Sequence, residues 1–210
     1  MPIRYKLTDQ QMCTHDDTQW KLGIKKSIPK EIQNINYPLC TSHWLHCYSN
    51  PYLALIFNNI HAMISNPRLF KVKVSGLNRL DRGLKEGWTN MTLIEELELP
   101  VLTVTQIKAF IIIYSLEIIN TPFYKTWGLN WLSNLDRTRE STQNMLYRLT
   151  LSEEHKFIQK HIIEELLLKE KTFYLNYLDT LGERIAEATS AFYYKNIDLI
   201  RILQLSLKIK

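Results

Sequence analysis

Glycine and proline are scarce in this chain, six and seven among 210 residues, which excludes a low-complexity, linker-like or collagen-like polypeptide. Cysteine is scarcer still. Three residues, an odd number, argue against a disulfide framework and for free thiols in a reducing, cytoplasmic compartment. The opening Met1-Pro-Ile-Arg-Tyr-Lys6 lacks the apolar core of a secretory signal. No apolar run approaches the ~20 residues of a membrane span, and the longest, Ala109 to Ile119, contains Glu117. Neither sign of charge dominates: 26 basic residues face 21 acidic ones, and the small excess is shared between both halves rather than gathered in a tail. Glycine-rich phosphate loops (GxGxxG, GxxxxGK[ST]), the GxSxG elbow and HExxH are all absent. The paired acids Glu95-Glu96, Glu153-Glu154 and Glu164-Glu165 are adjacent in sequence, so their side chains diverge and read as solvated.

What is present is apolar surface, 45% of the residues, enough for a core without crosslinks. Its periodicity divides the chain. Over residues 1–100 the pattern is strand-like and turn-like. Pro2 to Thr8 reads as a strand with Ile3, Tyr5 and Leu7 on one face and Arg4 and Lys6 on the other, Trp20 to Ile24 and Leu39 to Tyr48 as further strands, and Leu69 to Ser75 as the clearest, with Phe70, Val72 and Val74 inward. Residues 76–87 read as a basic, glycine-bearing connection into a strand over Thr89 to Leu99. Asn50-Pro51 supplies a cap and a first-turn proline for a helix to about Ile64.

From residue 101 onward the period lengthens to that of a helix. Thr103 or Thr105 caps a helix to about Asn120, and Thr121-Pro122 starts the next. Asp136 and Ser152 are later caps, and breaks fall near Asn120, Leu135, Thr150, Asn176 to Gly182 and Asn196. The expected fold is α+β: a small, mainly antiparallel sheet carrying one helix over residues 1–100, and an all-helical part over residues 101–210 packed on it.

Chemistry concentrates in Cys40-Thr-Ser-His-Trp-Leu-His-Cys-Tyr48 and in Ile60-His61-Ala62. Cys40, His43, His46 and Cys47 are zinc-ligand types, but on a strand Cys40 and His46 face opposite His43 and Cys47, so no metal and no cofactor is assigned. The candidates for a catalytic pocket are Cys40, Trp44, His46, Tyr48 and His61, with a thiol or imidazole as the reactive group. His46 and His61 are expected to approach one another across the short Ser49-Asn50 turn. A second candidate surface is basic: Arg68, Lys71, Lys73, Arg79, Arg82 and Lys85, solvated or anion-binding. Phe123, Trp127 and Trp131, spaced by four, share a helix face and read as core together with Leu129 and Leu132.

Tyr5-Lys6, Trp20, the segments Leu39-Cys40-Thr41 with Trp44-Leu45-His46 and Tyr48, Ile60-His61-Ala62, Gly83-Leu84-Lys85 with Gly87, Glu98-Leu99-Pro100 with Thr103 and Gln106, and Trp127 with Trp131-Leu132 and Asp136-Arg137 resemble, in order and spacing, a family of uncharacterised bacterial and phage proteins. The likeness spans about residues 3–137. It implies no activity, but it implies a prokaryotic or viral accessory protein, of the kind mobile elements use in host defence or counter-defence, including the anti-CRISPR type. The order of elements in the N-terminal half also resembles ADP-ribosyltransferase-type folds. The leading expectation is therefore a non-enzymatic protein that binds a protein partner, with nucleic acid as an alternative through the basic face and self-association through the C-terminal helices. The runner-up is a transferase with its pocket near His46 and His61.

Overall fold

The computed structural model describes residues 2–15, 18–81, 84–148, 174–191 and 197–210. The protein is α+β, with a mainly antiparallel sheet followed by helices, and separates into two units, Met1–Val101 and Leu102–Lys210. Among the described residues no helix is long and apolar enough to cross a membrane.

The spine of the first unit is a hairpin of two long strands, β6 (Arg68–Asp81) and β7 (Lys85–Leu97). Residues 76–81, expected to form a connection, instead continue β6, and β7 begins at Lys85 rather than Thr89. Charged and glycine-bearing text hid the strand because the ladder survives two register shifts, one between Ser75 and Asn78 where Gly76 adopts φ +88°. A Cβ on Gly76 would also lie 2.1 Å from Thr89 Oγ1, so two independent constraints demand glycine.

β1 (Ile3–Thr8) pairs antiparallel with β6 from Ile3↔Lys73 to Thr8↔Arg68. On the far side of β7 lie two short strands in succession, β5 (Leu45–Cys47) against Glu86 to Trp88 and β4 (Lys25–Ser27) against Asn90 to Thr92. Of the expected Leu39 to Tyr48 strand, Leu45–Cys47 pairs with β7 and Tyr48 makes a single bridge elsewhere, and the strand expected over Trp20 to Ile24 falls at Lys25–Ser27. β2 (Cys13–Thr14) and β3 (Thr18–Gln19) form a separate small ribbon.

Just past β5, Tyr48 turns back to β1. Tyr5 N–H donates to the Tyr48 carbonyl at 2.9 Å and Tyr48 N–H to the Tyr5 carbonyl at 2.8 Å. This bridge closes a ring of pairings, β1 to β6 to β7 to β5 and back, around a core of Trp20, Ile28, Leu45, Cys47, Phe70, Val72, Val74, Trp88, Met91 and Leu93. Asn50 caps α1 (Pro51–Ile56) through its side chain to Tyr52 N–H. The helix expected to reach Ile64 breaks at Phe57 and resumes as α2 (Asn58–His61).

The second unit is organised on α3 (Val104–Leu116), whose Ile107 and the whole run Ala109 to Ser115 are buried. Thr103 and Gln106 form a reciprocal capping box. α4 (Pro122–Leu132) starts at the Thr121 cap and packs on α3, with Tyr124, Trp127 and Trp131 buried, whereas Leu129, expected in the core, is half exposed. α5 (Arg139–Arg148) follows a turn in which Asp136 accepts from Thr138 and Thr138 Oγ1 accepts from Ser141 N–H. α6 (Tyr174–Ala191) runs unbroken through Asn176 to Gly182, where a break was expected, and α7 (Leu199–Ser206) begins at the Asp198 cap. The expected Ser152 cap and Thr150 break lie outside the described residues.

Replacing Thr103 by Ala removes the side-chain acceptor for Gln106 N–H and leaves the reciprocal bond from Thr103 N–H to the Gln106 side chain. Denaturant unfolding should lose about 1 kcal/mol for this variant.

Candidate functional site

β5 holds the centre of the Cys40 to Tyr48 segment against β7, and strand alternation then sorts its side chains. Cys47 points into the ring and is fully buried, and burial pushes its thiol up, away from the reactive thiolate. His46 pairs with Gly87 and points the other way, where its Nε2 meets the Leu39 carbonyl at 2.5 Å. Burial lowers the His46 pKa to about 4, so the ring is neutral and Nε2–H is the donor. Trp44 is buried on the same side and donates its indole N–H to the Tyr37 carbonyl at 3.2 Å. Gly87 makes this packing fit: a Cβ there would stand 2.4 Å from Leu39 Cδ1 and 2.8 Å from Trp44 Cβ.

His61 arrives from α2. Its Nδ1 is hydrogen-bonded to the Tyr48 hydroxyl at 3.2 Å, and the two rings stack with centroids 6.0 Å apart. The His61 pKa falls to about 4, first through burial and then through the positive charges of Lys85 and, when protonated, His46. Burial pushes the Tyr48 phenol up and keeps it protonated. Lys85 is buried and gives its ammonium to Cys40 Sγ at 3.0 Å, while Cys40 itself is exposed. The structure thus gathers Tyr48 and His61, and Lys85 with Cys40. His46 and Trp44 are fastened to the 37–39 loop.

The imidazoles of this group are neutral and hydrogen-bonded within the unit. Rings with pKa near 4 are poor proton shuttles near neutral pH. Among the described residues no group of three or more His, Cys, Asp or Glu side chains is placed to hold a metal ion.

The basic residues are dispersed and largely engaged. Arg68 makes a two-pronged pair with Glu96 at 2.8 and 2.6 Å, and Lys71 lies 3.6 Å from Glu95 across the hairpin. Arg79 donates to the Ile35 and Tyr37 carbonyls at 2.8 and 3.1 Å, and Lys85 is taken by Cys40. Lys73 is exposed, and Arg82 lies outside the described residues.

Sequence reasoning missed the polar interior of the ring. Arg4 and Lys6, expected to face solvent, lie on the same face of β1 as the inward Val72 and Phe70 with which they pair. Arg4 Nε binds Glu86 Oε2 at 2.6 Å, and the same oxygen accepts from Trp88 Nε1 at 2.9 Å. Lys6 is buried, donates to the His46 carbonyl at 2.8 Å and sits 4.7 Å over the Trp20 ring. Burial lowers its pKa to about 8. In sequence Lys6 alternates with apolar residues as any surface strand lysine does, so no local signal distinguishes it.

Compared with known protein families, with curated proteins and with solved structures, the chain finds no match in any of the three.

The two histidines set a pH dependence. Their folded pKa values near 4 lie below the ordinary 6.5, so the unfolded chain takes up protons first as pH falls. Their contribution to stability is complete above pH 6.5 and is lost as pH falls from there to 4. Unfolding free energies measured across that window should fall more steeply for the parent than for His46→Gln, whose amide can still donate to Leu39 but does not titrate. Lys6 acts at the other end: its folded pKa of about 8 against 10.5 means that the unfolded chain holds the proton longer, so the parent should gain stability relative to Lys6→Met as pH rises through that interval.

Proposed function

We propose that this protein is a non-enzymatic binding protein that engages a protein partner through an apolar surface of its first unit. The observation that carries this reading is a set of large apolar side chains left in solvent on the 32–37 loop and on the end of β6 to which that loop is tied. Ile32, Ile35 and Tyr37 are 40%, 50% and 36% exposed, and Leu77 and Leu80 of β6 are 41% and 61% exposed. Arg79, between the two leucines, holds the Ile35 and Tyr37 carbonyls, which ties the loop to that stretch of β6. Grouped exposed apolar residues mark protein contact surfaces, since water exclusion there gains free energy that an isolated domain forgoes.

Two further observations support binding over catalysis. The candidate catalytic residues Trp44, His46, Tyr48 and His61 make hydrogen bonds that close the fold. The basic face is crossed by the Arg68–Glu96 and Lys71–Glu95 pairs, which lowers its attraction for phosphate and favours a protein over nucleic acid. The resemblance to bacterial and phage proteins supplies the proposed setting, the cytoplasm of a bacterium and the contest between mobile elements and host defence, with a host or phage protein as the partner.

Photo-crosslinking amino acids placed at Ile35 and at Leu80 should capture one and the same protein from bacterial or phage-infected cells, and a probe at Lys73 should not. Ile35→Asp with Leu80→Asp should abolish the capture while leaving the unfolding transition in place, because both positions are solvent-facing. Equal capture at Lys73, or capture that survives the double variant, overturns this reading.

A further inference from the structure

An amine meets a thiol where the 37–44 loop lies against the start of β7. Lys85 is 8% exposed, and its Nζ donates to Cys40 Sγ at 3.0 Å, while Cys40 itself is open to solvent. Sulfur is a weak acceptor, so it compensates a buried ammonium poorly. Among the described residues Lys85 forms no ion pair. Lys6, also buried, is better provided for, with a backbone carbonyl and an indole face. The imidazoles of His46 and His61, close enough for Lys85 to lower their pKa values, are neutral and bring it no negative charge.

The approach of nitrogen to sulfur is fixed from both sides. His46 holds the Leu39 carbonyl, Thr41 Oγ1 donates to the Pro38 carbonyl at 2.9 Å, and Trp44 N–H donates to the Thr41 carbonyl at 3.4 Å, so the residues flanking Cys40 are anchored. Lys85 is held in the β6–β7 ladder opposite Asp81. Groups kept within about 3–3.5 Å of each other combine far faster than the same groups free in solution. Cys13, half-buried, has no such neighbour: its sulfur lies 3.2 Å from the Gln19 amide oxygen, which is no nucleophile towards sulfur.

We propose that Cys40 and Lys85 form a redox modification site, in which a hydroperoxide oxidises the Cys40 thiol and the Lys85 amine captures the product as a covalent sulfur–nitrogen link. In the first step the peroxide O–O bond breaks, one oxygen passes to Cys40 Sγ to give a sulfenic acid, and the other leaves as water or an alcohol; sulfur gives up two electrons and the peroxide takes them. In the second, Lys85 Nζ in its amine form attacks that sulfur, the N–S bond forms as the S–O bond breaks, and the departing hydroxide leaves as water with a proton from nitrogen. No further oxidant is consumed. The link joins the turn at residue 40 to the start of β7 and is opened again by a thiol, which attacks the sulfur and returns the amine. This site is independent of the protein-binding surface proposed above.

The test is mass spectrometry of the full chain after brief treatment with hydrogen peroxide in mildly alkaline buffer, followed by dimedone, which traps any sulfenic acid left free. The main product should be lighter than the parent by two hydrogen atoms, its digest should contain one linked pair of peptides carrying Cys40 and Lys85, and dithiothreitol should restore both. Lys85→Arg keeps a cation beside the sulfur and removes the attacking amine, so the link should vanish and the dimedone adduct at Cys40 should rise about tenfold or more. Should Lys85→Arg fail to fold, peptide mapping of the parent decides alone. Any other main fate of Cys40 in the parent, whether unmodified thiol, dimedone adduct, sulfinic acid or disulfide, overturns the proposal, as does a link that persists in Lys85→Arg.

Discussion

The reciprocal backbone pair between Tyr5 and Tyr48 is the constraint on which the first unit depends. Without it, β1, β6 and β7 form an open sheet whose two faces compete for a core, and β5 is a three-residue strand on its edge. With it, one face becomes an interior. Phe70, Val72, Val74, Leu45 and Cys47 then share an enclosure, and the remaining face of β7 is left for the 37–44 loop, which Gly87 admits by having no side chain. Backbone hydrogen bonds contribute little net free energy each, but these two decide which side chains are desolvated, and that is the larger quantity.

Closure carries a cost that the polar interior reveals. The interior is not wholly apolar, because β1 sends in Arg4 and Lys6. Arg4 is neutralised by Glu86, which also satisfies Trp88. Lys6 receives a carbonyl and an indole face, a weaker compensation, and its depressed pKa is the thermodynamic record of that shortfall. The same crowding around β5 keeps His46 and His61 neutral. Titratable groups cluster here, yet the cause is burial in a structural joint, so perturbed ionisation by itself marks no active site.

What the sequence made legible follows a physical rule: features settled by three or four neighbouring residues could be read, and features settled across the chain could not. Asn50-Pro51, Thr103 with Gln106 and Thr121-Pro122 cap the helices they were expected to cap, since a cap is a local bond. Phe70, Val72 and Val74 face inward as their alternation requires. By contrast, residues 76–81 join β6 because β7 pairs with them, the long helix from Pro51 breaks at Phe57, and α6 passes through a stretch whose Asn and Gly read as a stop. Within the candidate site, the link from Tyr48 to His61 spans 13 positions and was foreseen only as proximity of the two histidines. The contact between Cys40 and Lys85 spans 45 positions and had no signature, because a lysine within a basic stretch reads as solvated whatever it meets.

The three thiols have graded access: Cys40 exposed, Cys13 half-buried and Cys47 fully enclosed in the ring. A thiol reagent therefore reads the molecule as a clock. Reaction at Cys40 needs no opening of the fold, whereas reaction at Cys47 waits for the enclosure around it to part, so its rate measures how often that enclosure opens under native conditions. The protein carries its own probe of local opening at the joint that defines it, with no label to introduce.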